Sequence, residues 1–303
     1  MVNKNMKNIN TTDDVAVYIA THGPKCEIVP DYCIPIEIGA ALHDKSIYNI
    51  RDNSGEDNIS IKDKLYGEIT ALYWIWKNDT HKIVGLCHYR RITLIKHKNI
   101  IKYLNGNYDI LMFRNRIRFP KSYEAMYISS NDHIPSDWQI MKDVLRKKYP
   151  DYYQSAELVF QSHYYYKCNI FISNNQFLNN YCNWLFPLIE EIESKINLNG
   201  RVGNQVRVIG YLCEILLNVY VVHNEYKIKN IPVYYLQKKL LFEIISNKIS
   251  FLYQYPHLHY FLQQIDEIIS GIIEGYVLPV LPKDNICTNW ILMKKHNIIE
   301  KIK

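Results

Sequence analysis

No C-x-x-C pair, glycine-rich phosphate loop, H-E-x-x-H or G-x-S-x-G occurs in the 303 residues. The chain therefore lacks the signatures of a thiol redox centre, a P-loop or dinucleotide fingerprint, a zincin and an α/β-hydrolase elbow. The cysteines number seven, an odd count, with Cys26 and Cys33 the nearest pair, and they read as reduced thiols. No apolar run reaches the roughly 18 residues of a spanning helix. The start, "MVNKNMKNINTTDD", has no apolar core like that of a secretory signal. These features lead us to expect a cytoplasmic protein, at most peripheral to the membrane.

Neither sign of charge dominates. With 36 basic and 30 acidic residues, the net +6 suits an anionic substrate or a membrane surface. The basic residues are not striped with aromatics, so no nucleic-acid partner is expected. His257 and His259 form an H-x-H pair without Cys or carboxylate ligands spaced around it. The 26 tyrosines accompany abundant Ile, Asn and Lys and carry no functional weight.

What is present is an ordinary globular composition, 48% hydrophobic and 22% charged, with alternating strand and helix patterns. Residues 1–14 read as a flexible tail. "VAVYIA" is a short buried strand closed by "THGP", and a second strand lies around "YCIPIEIGA". Ser60 and Asp63 form a capping-box pattern that predicts one helix, with Leu65, Ile69, Leu72 and Trp76 on its buried face and an end near Asn78. "HKIVGLCHYRR" and "YDILMF" follow as strands. The middle is helical, with Ser136 as the cap of "SDWQIMKDVLRKKY". Next come the strand "YYYKCNIFIS", a long helix, and a loop running into the apolar helix that ends "GYLCEILLNVYVV". This order predicts an α/β fold, a mostly parallel sheet covered by helices, over residues 15–235. A mainly helical extension over 236–303 would pack on it. Its lysine-bearing segment Leu236 to Tyr253 could instead lie on an anionic membrane.

Ligands of such sheets bind beyond the carboxyl ends of the strands. That rim would carry Thr21 and His22 after the first strand, and His88, Tyr89, Arg90 and Arg91 at the end of "GLCHYRR". Two adjacent arginines leaving an apolar strand need either carboxylate partners or an anion, whose oxygens a guanidinium grips bidentately. Strand alternation puts His88 and Arg90 on one face and Arg91 on the other, unless the strand end loosens. In the apolar helix Arg207 and Glu214 are isolated charges seven residues apart, hence on one face. A carboxylate so placed has its pKa raised, as a general base requires, or else serves as an arginine's partner. Glu56, Asp57 and Asn58 stand just before a helix N-terminus whose free N–H groups can receive an anion, but the adjacent carboxylates would repel phosphate, and the alternative is that Asp57 only supplements the cap. Trp74 and Trp76 read as core before they read as a sugar platform.

Taken together, "THGP", "PIEIGAAL", "DNISIKDKLYGEITALYWIWKN", "GLCHYRR", "YDILM", "CNIFI" and "RVIGYLCEILL" resemble, in family order over Val15 to Val222, a bacterial family. It comprises glycosyltransferases of capsular and O-antigen polysaccharide synthesis, long catalogued only as a domain of unknown function. Asp63, Gly67 and Ile215 stand where Asn, Cys and Arg are common in that family. The resemblance implies a GT-A-like sheet, a UDP-sugar donor with galactofuranose or galactose favoured, and a lipid-linked glycan acceptor. In many GT-A enzymes the equivalent strand leads to an Asp-x-Asp that holds a divalent metal against the diphosphate. Here Arg90 and Arg91 would take that place, so transfer is expected to need no metal, manganese being the alternative. Asn169 would be the strand asparagine that touches donor or acceptor, and Thr21 and His22 would border the base. Glu214 is the first choice of base for an inverting displacement, with Asp109, on a strand where it could face the sugar, and Asp57 behind it. A non-catalytic sugar-nucleotide or phosphoglycan binder, or a metal-dependent retaining transferase, is the competing expectation.

Overall fold

A computed structural model of the protein describes residues 14–235 except 24–29, 45, 94, 117–121 and 232. The expected tail before Asp14, the extension over 236–303 with its amphipathic segment, and the H-x-H pair lie outside the described residues.

The strands are β1 (Val15–Thr21), β2 (Cys33–Glu37), β3 (Ile83–His88), β4 (Arg91–Ile92), β5 (Ile110–Arg116), β6 (Tyr164–Asn174), β7 (Ile228–Asn230) and β8 (Tyr234–Tyr235). They form one sheet in the order β2-β1-β3-β6-β5-β7, with β4 and β8 attached beyond β3. β1 pairs in parallel with β2 and β3, and β5 with β7, while β6 runs antiparallel to both its neighbours. Five strands of the six-strand path therefore point one way, and the expected mostly parallel sheet is present.

Period-two alternation explains the layering. Ala16, Tyr18 and Ala20 of β1, with Ile110 and Met112 of β5, join the larger apolar core. Val15, Val17 and Ile19, with Leu111 and Phe113, join a smaller one on the other face. The helices on the larger side are α1 (Asp63–Tyr66), α2 (Ile69–Asn78), α4 (Tyr123–Ile128), α5 (Pro135–Lys148), α6 (Tyr153–Phe160), α7 (Asn175–Glu193) and α8 (Val208–His223). On the smaller side α3 (His97–Leu104) contributes Ile100. A sheet buried on both faces accounts for the unbroken apolar runs of its central strands.

Three local predictions are corrected. The single helix from Ser60 to Asn78 is broken at Gly67, whose φ of 57° is left-handed, and Ser60 donates to the buried Asp52 instead of capping. α5 begins at Pro135 in its first turn, not behind Ser136, because proline needs no N–H partner there. The turn Gly203–Arg207 and α8 together make a 21-residue helix, so one segment does reach spanning length, with a mean hydropathy of 1.5 over an 18-residue window. Two-thirds of it (67%) is buried inside the fold, which makes it a core helix.

Close packing of β3 on β6 depends on Gly85. A Cβ there would stand 2.8 Å from both the Phe171 carbonyl oxygen and Ile172 Cγ1. Gly85→Ala is expected to lower unfolding free energy by about 1–3 kcal/mol, read as an earlier denaturant midpoint.

Candidate active site

The arginine pair is placed by a hairpin, not by a loosened strand end. β3 stops at His88, Tyr89 and Arg90 make the turn, and Arg91 pairs back antiparallel to His88. Residues directly opposed in an antiparallel pair share a face. Arg91 therefore joins His88 on the side of α8, and Arg90 stands at the tip. The Arg90 N–H donates to His88 Nδ1 at 3.2 Å, which bridges the turn and leaves the imidazole proton on Nε2. Burial first, then Arg91, Arg90 and Arg207, push the His88 pKa down to about 3, so this ring is neutral.

β6 supplies the next side chains through a distortion. Cys168 and Asn169 both have left-handed φ, 69° and 50°, and the register against β5 jumps from Phe171 to Tyr166 over this stretch. Such bulges re-aim side chains in a strand. Lys167 and Cys168 come to line a cavity, while Asn169, almost fully buried, donates to Glu68 Oε1 at 3.0 Å and to the Gly210 carbonyl at 3.3 Å. Glu68 Oε2 accepts from Arg207 Nη2 at 3.2 Å. The break before α2 has a reason here: a Cβ at Gly67 would stand 2.6 Å from that guanidinium nitrogen.

α8 presents Arg207, Tyr211 and Glu214 at i, i+4 and i+7, one helical face. Gly210 allows the helix to approach the Tyr66 carbonyl, 2.9 Å from where a Cβ would be. All three side chains open on a cavity of about 330 Å³ beyond the carboxyl end of β3. Four cations, Arg90, Arg91, Lys167 and Arg207, line it against two carboxylates, Glu68 and Glu214, so it favours an anion. Burial, and next the charge of Glu68, raise the Glu214 pKa to about 7, with Arg91 and Lys167 opposing. Glu214 is thus a carboxylate that takes or gives a proton near neutrality. Glu68→Gln, which removes the second of these causes, is expected to lower the Glu214 pKa; an NMR titration of the carboxyl checks it.

A second cavity, about 320 Å³, is lined by His22, Asp63, Lys64, Gly203, Val206 and again Arg207. His22 Nε2 bonds Asp63 Oδ2 at 2.8 Å. Of the residues singled out in the sequence, Glu214, His88, Arg90, Arg91 and Arg207 line the first cavity, His22 the second, and Asn169 braces Glu68 from behind. Four others stand apart from both. Thr21 closes the end of β1 through Gly23. Tyr89 packs beneath the Arg90 guanidinium at 5.3 Å. Asp57 is at the surface, its pKa lowered by the Tyr73 hydroxyl and Lys77. Asp109 precedes β5, at the opposite end of the sheet from the carboxyl ends, and accepts the Lys227 N–H at 2.7 Å. Trp74 and Trp76 pack against the core.

Lys167 and Glu68 were not selected from the sequence. Lys167 had a signal, a lone charge inside the apolar run "YYYKCNIFIS", the same signal that marked Glu214. Glu68 had none. Among the described residues no three His, Cys, Asp or Glu side chains are grouped as metal ligands.

The chain resembles a solved apo structure, a bifunctional glycosyltransferase called WbbM, with a TM-score of 0.67 and 24% identity over 75% of this chain. It spans 46% of that protein's length. A likeness of this degree is one of fold, and the mixed α/β architecture is accordingly GT-A-like. No curated protein matches the sequence. A family model, described as Domain of unknown function (DUF4422), matches residues 16–225, most of the chain, and the protein belongs to that family.

Proposed function

We propose that the protein is a glycosyltransferase that moves a hexosyl group, galactofuranose or galactose, from a UDP-sugar to a lipid-linked capsular or O-antigen glycan. The observation that carries this reading is the first cavity, where a carboxylate poised near pH 7 faces four cations. Sugar transfer from a nucleotide needs both: a base for the incoming hydroxyl and positive charge for the departing diphosphate. Arg207 lines both cavities, which suits a ligand with its nucleoside beside His22, its diphosphate across Arg207 and its sugar near Glu214.

The step we favour is an inverting displacement. The acceptor hydroxyl oxygen bonds to the anomeric carbon as that carbon's bond to the β-phosphate oxygen breaks. Glu214 takes the hydroxyl proton, and UDP leaves with the bonding electrons. Arg90 and Arg91 stabilise the charge that develops on the leaving oxygen, in the role a divalent metal plays elsewhere. The neutral His88 offers its Nε2–H to the same group without competing for protons. A cytoplasmic location at the inner face of the membrane fits a lipid-linked acceptor and belongs to the same proposal.

The test is UDP release from a panel of UDP-sugars, including UDP-galactofuranose and UDP-galactose, with excess EDTA and again with manganese. Donor-specific release that survives EDTA is the expected result. Release only with manganese would keep the enzyme and remove the arginines from the metal's role. UDP-sugar binding without release, even with a glycan acceptor present, would instead make the protein a binder.

A further inference from the structure

The cavity is divided chemically according to which elements wall it. Its cations come from the β3–β4 hairpin, β6 and the start of α8. The remainder is lined by Tyr123, Met126 and Tyr127 of α4, His133 in the loop that follows, Tyr165, and Tyr211 of α8. The rings are interlocked. His133 stacks on Tyr127 with centroids 3.9 Å apart and planes 2° from parallel, and meets Tyr211 nearly perpendicular at 4.6 Å. Behind them Tyr127 rests on Trp138 at 5.0 Å, and Tyr123 on Tyr165 at 4.5 Å. Tyr123, Tyr127 and Tyr165 are buried, whereas His133 and Tyr211 keep accessible surface. Burial lowers the His133 pKa despite the nearby Asp132 and Asp137, so this wall adds no charge near neutrality.

We infer that the Tyr211–His133 wall is the seat of the acceptor's terminal sugar ring. This rests on the glycosyltransferase reading of the cavity. An uncharged, preorganised aromatic surface supplies no cation to a diphosphate, but it matches the C–H face of a hexose. Its place on α8 is the second argument. Tyr211 is three residues before Glu214 on the same face, so a ring lying against it brings its hydroxyl rim beside the base, as proton abstraction requires. Arg207 lies one turn the other way, so Tyr211 stands on one helical face between the cation that reaches both cavities and the base. The wall then decides which sugar face is presented and which hydroxyl reaches Glu214.

Saturation-transfer NMR on the full chain, with methyl glycosides of galactopyranose, galactofuranose, glucopyranose and N-acetylglucosamine, tests the site without requiring turnover. At least one glycoside should receive saturation on the C–H protons of a single ring face, with UDP present at saturating concentration. Its affinity should fall about 5- to 10-fold in Tyr211→Ala and in His133→Ala, and persist in Tyr211→Phe, which keeps the ring. Far-UV circular dichroism verifies that each variant is folded, and the two positions serve as independent variants should one fail. Absence of transfer from every glycoside would overturn the inference, as would transfer unchanged in both alanine variants. Displacement of the glycoside by UDP would assign the wall to the donor and overturn it too. Glycoside binding with these losses, in a protein that releases no UDP from any donor, would sustain the sugar seat and count against the enzyme alone.

Discussion

Glu214→Gln is expected to reduce kcat by a factor of about 10²–10⁴ while leaving the fold and donor affinity nearly unchanged. Glutamine keeps the size and the hydrogen bonds of the side chain but cannot accept the acceptor's proton. The wild-type pH profile carries the same information. Because Glu214 is held near 7, kcat/KM should rise with pH through about 7 and level off above it, and in the variant this limb should be lost. Stability should move the opposite way. The unfolded chain ionises this carboxyl at its ordinary value of 4.5, the folded chain only near 7. Below 4.5 both states hold the proton and no cost arises. Between 4.5 and 7 only the unfolded chain is ionised, so the native state loses stability across this window, on the order of 3 kcal/mol in all by the time both are ionised. Glu214→Gln should therefore be more stable than wild type above pH 7, and denaturant unfolding at pH 5 and 8 measures the difference. A variant that is inactive but no more stable at pH 8 would mean that Glu214 is not strained in this way. Near-wild-type turnover would end its role as the base.

Arg90→Ala carries the second large effect, a fall in kcat/KM of about 10²–10³ at unchanged stability. Arg91 and Lys167 act on Glu214, and Arg207 is tied to Glu68, but Arg90 makes no ion pair among the described residues. Its Nε is buried without a hydrogen-bond partner there, and its guanidinium lies over the Tyr89 ring. Removing it breaks no ion pair among those residues, so a loss of activity would speak to the ligand and not to folding. Arg90→Lys should not restore full rate, because an ammonium lacks the planar fork that engages two phosphate oxygens. Arg207→Ala makes a useful contrast. It strands the buried Glu68 carboxylate, so there activity and stability should fall together. Initial rates with EDTA and thermal unfolding of the three variants decide the matter. Undiminished turnover in Arg90→Ala would remove the arginine-for-metal idea.

Much of the frame was legible from pattern alone. The apolar runs of β1, β3 and β5 announce strands buried on both faces, and the lone charges in "RVIGYLCEILL" mark the face of α8 that lines the cavity. These features depend only on side-chain period and on the cost of burying charge, which the order of residues fixes. Asp109 misled for a complementary reason. Its strand is real, but an acidic residue next to a strand says nothing about which end of the sheet it occupies, and Asp109 sits at the end away from the cavity.

Other features needed the third dimension. "CHYRR" does not reveal that a two-residue turn folds Arg91 back beside His88, because Tyr89–Arg90 carries no turn residue. Gly67 breaks a helix that its flanking residues would continue, and the reason is a guanidinium 140 positions further on, at Arg207. Asn169 reads as a strand residue, yet its left-handed backbone aims it at Glu68 from another element. Residue order settles the central strands, the longer helices, most of their buried faces and several of the isolated charges that demand an explanation, because those follow from local period and solvation. Tertiary structure alone decided which charges meet and which of them shifts Glu214 toward neutrality, since Coulomb interaction and burial depend on distances that no run of neighbouring residues encodes.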